Sequence, residues 1–283
     1  MILQLLITYI FFSLSLLSVS ILMHDFSAAS LTAIRLTSSG ILLSLIGIFM
    51  AQKKTWHQFA SIKSLASLAF LSFGNVFCIN ILLSLALGTT CASLVGLLYN
   101  TNPLMVAAFA ALIGMERLTQ RKVLALVAGF AGLLVIMLPG GSTNCGAMSS
   151  GQLFALSAAV VAAIAALVMK KVSNSLDKAG GFLLIGLSMV IGGGIAFFAE
   201  PISISLITAH WPMMLFAIVT TSLAAICYYF LLASYPASVV TMASFTTPIF
   251  LAIVEFIIYG QVPSYATLVG GSIVLAALWQ YLK

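Results

Sequence analysis

Two polar interruptions stand inside otherwise apolar stretches. One is Tyr99-Asn100-Thr101-Asn102 followed by Pro103, and the other is Ser244-Phe245-Thr246-Thr247 followed by Pro248. Phenol, amide and hydroxyl groups at such points can hydrogen-bond an organic solute. Each proline lacks a donor and crowds the carbonyl four residues earlier, that of Tyr99 for Pro103 and of Ser244 for Pro248. Farther along the second stretch Glu255 places a carboxylate among apolar residues, and Arg35 places a guanidinium in another apolar run. The chemistry open to these groups is solute recognition, proton exchange or ion pairing, because a charge inside a membrane span is paired, protonated or functional. At about 100° per residue, Ser244, Thr247, Pro248, Leu251 and Glu255 share a helix face about 100° wide. The equivalent stripe at the first interruption is Tyr99, Asn102, Pro103, Val106 and Ala110, with Asn100 and Thr101 on neighbouring faces. Asn75 and Asn80, and Tyr228 and Tyr229, supply further amides and phenols inside apolar runs. Of these, Asn80 and Tyr228 are counted with the substrate-lining set, although single polar residues of this kind are more often helix–helix contacts or interface anchors.

The elements that must hold these groups follow from composition. Of the 283 residues 63% are hydrophobic and 6% charged, and the mean hydropathy is +1.23. A soluble domain carries about 25% charged residues, so the chain reads as an all-α integral membrane protein. A span needs about 20 apolar residues. Ten stretches qualify: about 2–22, 28–50, 64–86, 91–114, 121–139, 151–169, 181–199, 211–232, 236–259 and 264–282. The longest connection runs from Pro139 to Ser150, and the N-terminus, lacking a basic leader, reads as a retained first helix.

Loop charges orient the spans. With the N-terminus in the cytoplasm, the inner loops and the C-terminus hold Lys53, Lys54, Lys63, Arg117, Arg121, Lys122, Lys170, Lys171, Lys178 and Lys283. That is ten of the eleven Lys and Arg residues, and the eleventh is Arg35. The positive-inside rule then places both termini in the cytoplasm, and a missed or extra span would scatter the charges over both sides. The net charge of +6 forms no patch, so nucleic acid is not a partner.

The chain also repeats. A shift of 145 residues brings Ala92, Ser93, Val95, Thr101 and Pro103 onto Ala237, Ser238, Val240, Thr246 and Pro248, and Glu116 onto Gln261. The reading is two five-helix repeats, 1–143 and 148–283. An odd number of spans per repeat inverts the second across the membrane. Inverted repeats recur in secondary transporters, where similar halves can open a central site to either side.

Residues 85–138 resemble the core signature of the EamA-type family of the drug/metabolite transporter superfamily. Ala86-Leu87, Ala92-Ser93, Pro103, Gly114, Glu116, Gly129 and Gly132 fill its places, and 231–279 repeat the pattern more loosely. Arg35 resembles an arginine common in the second helix of that family. The resemblance implies a secondary transporter of a small organic metabolite, among them amino acid-like, nucleotide-related and S-adenosylmethionine-like compounds, resident in a bacterial inner (plasma) membrane. It implies that spans 5 and 10 brace the bundle, which suits Gly129, Gly132, Gly270 and Gly271. It also implies a gating or structural role for Arg35, for which Glu255 is the ion-pair partner considered. This sequence departs from the family in three places: the first span lacks a Trp-Gly, Gln261 replaces a glutamate, and Glu255 stands where relatives are apolar.

The remaining expectations are a coupling proton or counter-substrate, a lipid bilayer, and an open question of homo-oligomerisation. No cofactor, metal or catalytic residue is expected. Cys78, Cys91, Cys145 and Cys227 lack metal-ligand spacing. His24, His57 and His210 lie in loops or at span ends without a partnering motif, and no Walker motif occurs. A membrane-embedded enzyme, and a channel or non-transporting scaffold, are the competing classes.

Overall fold

A computed structural model of the chain describes the backbone at residues 2–23, 25–87, 89, 92–137, 150–197, 204–260, 262 and 264–282. Side chains 28, 87, 92, 93, 137, 204, 205, 255 and 259 fall outside that description. The expectations on Cys91, Cys145, Gln261, His24, Lys283 and the side chains of Ser93 and Glu255 therefore lie outside the described residues.

Among the described residues the fold is entirely helical. Helices α1 (Ile2–Leu22), α2 (Ala28–Met50), α3 (Lys53–Phe59) and α4 (Ile62–Phe70) lead into a π-helical segment, Leu71–Cys78, and α5 (Ile79–Leu87). Then come α6 (Ala92–Tyr99), α7 (Asn102–Leu112), α8 (Gln120–Met137), α9 (Ser150–Ser173), α10 (Lys178–Ala196) and α11 (Ile204–Ala209). The chain ends with α12 (Trp211–Ser234), α13 (Ala237–Met242), a 3-10 turn (Ala243–Thr246), α14 (Thr247–Tyr259) and α15 (Tyr265–Leu282).

Nine helical stretches among the described residues are long and apolar enough to cross a membrane. They correspond to nine of the ten expected spans. The remaining one, 121–139, is helical as α8, but Gln120, Arg121 and Lys122 make its first turn polar, so its apolar stretch begins only at Val123. Several hydroxyls inside the spans fold back onto their own helix. Thr8 donates to the Gln4 carbonyl at 2.8 Å, Ser18 to that of Ser15 at 2.7 Å, and Ser222 to that of Ile218 at 2.8 Å. Such bonds satisfy donors that lipid cannot.

The described chain packs as two compact units that draw on both sequence repeats. The first comprises residues 1–10, 81–167 and 235–283, and the second 11–80 and 168–234. In the first unit α8 lies against α15 through facing glycines. A Cβ on Gly132 would stand 2.8 Å from the Gly270 carbonyl oxygen, and one on Gly270 2.5 Å from that of Gly132. Small residues let apolar helices approach where no hydrophobic drive exists between them. Gly129 faces Phe245 and Gly271 faces Ile249, so all four glycines anticipated for close packing make helix contacts.

In the second unit α10 is the most enclosed span. Leu183, Leu184, Ile185, Gly186 and Met189 are all buried, and α2 crosses it at Gly40, where a Cβ would meet the Gly186 carbonyl oxygen at 2.6 Å. The π-helical segment packs on the same helix. A Cβ on Gly192 would stand 2.5 Å from the Ser72 carbonyl oxygen, so the bulged backbone fits only against glycine.

Candidate functional site

The first unit holds both polar interruptions, and each breaks its helix. Helix α6 ends at Tyr99 and α7 starts at Asn102; α13 gives way to a 3-10 turn, and α14 starts at Thr247. The pieces begin at positions related by the sequence shift of 145, namely 92 and 237, then 102 and 247. The local chemistry repeats as well. Thr101 Oγ1 donates to the Leu98 carbonyl at 2.6 Å, and Thr246 Oγ1 to the Ala243 carbonyl at 2.6 Å. Pro103 and Pro248 occupy the first turn of the second piece in each case, where a missing N–H costs least. A proline and a threonine hydroxyl two residues before it thus end one helix and start the next.

Of the polar side chains at the breaks, Asn100 is spent locally, its Nδ2 donating to the Gly96 carbonyl at 2.7 Å. Asn102 is not, since its Oδ1 is buried with no hydrogen-bond partner. Half-buried Tyr99 and Ser244 stand at equivalent positions (99 + 145 = 244), and their hydroxyls form no hydrogen bond among the described residues. Thr247 has a partner. Glu255 lies on α14, with its side chain outside the described residues. Buried acceptors are almost always paired, so an orphaned Asn102 oxygen and two unbonded hydroxyls at paired helix breaks leave acceptors and donors for a solute or for water.

Glu116 is a residue whose use the sequence reading did not foresee. It follows Gly114, whose φ of 72° turns the chain after α7. Its carboxylate accepts from the Ser238 backbone N–H at 3.2 Å and forms a short hydrogen bond with the Ser238 hydroxyl. Ser238 in turn accepts from the Tyr281 hydroxyl at 2.7 Å. A carboxylate at the start of α13 meets unpaired N–H groups and the positive end of the helix dipole. It therefore fixes the piece that leads into the second break, and it ties α15 to the same point.

The second unit places the other anticipated residues. Asn80 Nδ2 bonds the Val76 carbonyl of the π-helical segment. The Tyr228 ring meets Phe12 edge-on at 5.9 Å, while buried Tyr229 packs over Gly181. Arg35 is held by hydroxyls. Its Nη1 donates to Ser15 Oγ at 3.1 Å and to Thr221 Oγ1 at 3.0 Å, and those two oxygens are themselves 2.7 Å apart. Its Nε is buried with no partner.

Two aspartates in this unit tie loops together in matching ways. Asp25 Oδ2 lies 3.3 Å from His210 Nε2. Asp177 caps α10 at the Gly180 N–H at 2.7 Å, accepts from Thr55 Oγ1 at 2.6 Å, and bonds Gln58 Oε1 through its own N–H at 3.2 Å. One shift of 152 relates both sets (25 to 177, 58 to 210). Among the described residues no group of three His, Cys, Asp or Glu side chains could hold a metal ion.

A family model described as the EamA-like transporter family matches the chain twice, over residues 1–138 and 149–282. A solved structure described only as "Crystal structure of protein" aligns with a TM-score of 0.80 at 15% sequence identity, covering 98% of this chain and 94% of that one. A likeness at that identity speaks to the fold alone. No curated protein matches the sequence.

Proposed function

Since the chain belongs to the EamA-like transporter family, we propose that it is a secondary transporter that moves a small organic metabolite across a bacterial inner membrane by alternating access. In this reading ten spans form two inverted five-helix repeats, 1–143 and 148–283, with both termini in the cytoplasm. The observation that carries it is the pair of helix breaks at positions 145 apart, each with an unbonded polar side chain within four residues before its proline, Tyr99 and Asn102 at the first and Ser244 at the second. A channel or scaffold has no need of unbonded polar groups at matched helix breaks, whereas a transporter that binds a solute from either side does. Tyr99, Asn102, Ser244 and Thr247 would contact the solute, Asn100 would hold the first break, and Pro103 and Pro248 would keep both breaks open. Asn80 and Tyr228 would line the pathway in the second unit, and Glu255 would bind a cationic group or carry a coupling proton.

The experiment is counterflow. Purified chain is reconstituted into vesicles loaded with amino acids, nucleosides or S-adenosylmethionine, and uptake of the labelled compound is followed. Uptake that needs both the protein and the same compound inside supports the reading. Absence of exchange for every compound by folded, reconstituted protein overturns it.

A further inference from the structure

We propose that Arg35 is a carboxylate-binding residue, and that the solute carried by this chain bears a carboxylate group. The inference rests on the transporter reading above and names the chemistry of its substrate.

A guanidinium has three edges. Among the described residues only one is spent. Nη1 is held by Ser15 Oγ on α1 and Thr221 Oγ1 on α12, and the contact between those two oxygens closes a triangle that fixes the guanidinium plane. Nε has no partner although it is buried, and Nη2 forms no hydrogen bond among the described residues. The Nε and Nη2 hydrogens point in parallel from one side of the group, which is the fork that carboxylates occupy with two hydrogen bonds. Arginine keeps its charge at any physiological pH, so neutralisation by proton loss is not an alternative.

The hydroxyls supply hydrogen bonds but no charge. Among the described residues the ion pair present joins His210 and Asp25, so no described carboxylate neutralises Arg35; the side chains of Glu200 and Glu255 lie outside the described residues. A cation inside a span without a counter-charge is costly, and the cost falls when an anion arrives. The arrangement is that of a receptor: one side of the group is immobilised, and the adjacent edge is buried with its Nε donor unpartnered. Seven residues along α12 from Thr221, on the same helix face, Tyr228 packs edge-on against Phe12, about 10 Å along the axis. That aromatic pair would face the organic body of a carboxylate solute.

The test compares partners that differ only in the carboxylate: L-leucine with L-leucinamide, L-phenylalanine with L-phenylalaninamide, and S-adenosylmethionine with its decarboxylated form. Full-length protein is assayed for heat stabilisation by each compound in detergent and for counterflow in vesicles. In at least one pair the carboxylate member should be preferred, roughly ten- to hundredfold, the range expected for charged hydrogen bonds. Arg35→Gln should erase that preference, and Arg35→Lys should restore only part of it, since a point charge lacks the fork. The wild-type comparison needs no variant, so a misfolded Arg35→Gln protein does not decide the outcome.

Equal or better handling of the carboxylate-free members overturns the proposal while leaving the transporter reading intact. So does a carboxylate preference that survives in Arg35→Gln. Stabilisation by a carboxylate that Arg35→Gln abolishes, without counterflow, upholds Arg35 as a carboxylate-binding residue and sinks the transporter reading, and with it the claim about a carried solute. No response to any of the six compounds counts against the proposal. A purely structural pairing of Arg35 with Glu255 predicts that acid and amide behave alike.

Discussion

Removing the Glu116 carboxylate should destabilise the protein more than any other single change at a loop. Three groups depend on it. Ser238 is fully buried and Tyr281 is 2% exposed, so the Ser238 N–H, the Ser238 hydroxyl and through it the Tyr281 hydroxyl have little water to turn to. A hydrogen bond to a charged group contributes about 1.5–3 kcal/mol, and leaving its buried partner unsatisfied about 1–3 kcal/mol. Glu116 itself is half-buried, which lowers the charged contribution. The result for Glu116→Ala is a loss of about 2–3 kcal/mol, or roughly 5–10 °C in Tm for a chain of this length. Glu116→Gln keeps one acceptor and should lose about half as much. The assay is thermal unfolding in detergent, followed by intrinsic fluorescence, for Glu116→Ala, Ser238→Ala and the double variant. Because the two residues share their hydrogen bonds, their losses should not add, and a coupling of at least about 1 kcal/mol should appear. Additive losses, or a change below about 0.5 kcal/mol for Glu116→Ala, would refute the reasoning that this carboxylate caps α13.

Other consequences are equally open to measurement. Gly132→Leu and Gly270→Leu should each cost about 1–3 kcal/mol by forcing α8 from α15, whereas Gly194→Ala, where a Cβ has no neighbour within 4 Å, should change Tm little; thermal unfolding separates them. Pro103→Ala and Pro248→Ala each return an N–H to a helix first turn, where it has no helical acceptor, so each should change stability by less than about 1 kcal/mol while slowing solute exchange at least tenfold. An undiminished exchange rate in the double variant would mean that the breaks are packing features only. Asp177→Ala should cost about 2 kcal/mol, because one carboxylate caps α10 and holds Thr55. Asp25→Ala should cost under about 1 kcal/mol, because the Asp25–His210 pair is 48% and 37% exposed.

Much of this fold could be read from residue patterns because lipid imposes simple demands. Long apolar runs mark spans, and a proline inside one marks a break, so Pro103 and Pro248 located α6/α7 and α13/α14 to within a residue or two. The small residues of α8 and α15 announced a close contact, since Gly132 and Gly270 have no other use on an apolar helix. Three features were not legible. The short helices α3 and α11 are too brief for a hydropathy pattern to separate them from loops. The π-helical segment Leu71–Cys78 depends on a partner, Gly192, more than a hundred residues away. The hydrogen bonds of Glu116 to Ser238, and of Arg35 to Ser15 and Thr221, likewise join residues that only packing brings together. The compact units showed a further limit. Sequence repetition records which segments resemble one another, and the helices pack by a different grouping, with spans of both repeats in each unit.

At the site, the pattern of polar residues identified Tyr99, Asn102 and Ser244 as exceptions in apolar runs. What it could not tell was which exceptions are already satisfied. Asn100 and Thr101 bond their own helix, and Asn102 Oδ1 does not bond at all. That difference arises from where the helix breaks by a single residue.

Trans-stimulation tests the central claim most directly. Uptake of a labelled solute that supports counterflow is measured into vesicles that are either empty or loaded with the same unlabelled compound. A carrier that exposes one site alternately to each side returns faster when loaded, so the account predicts uptake several-fold faster into loaded vesicles. Equal rates into empty and loaded vesicles would contradict it, because a pore conducts without regard to what waits on the far side.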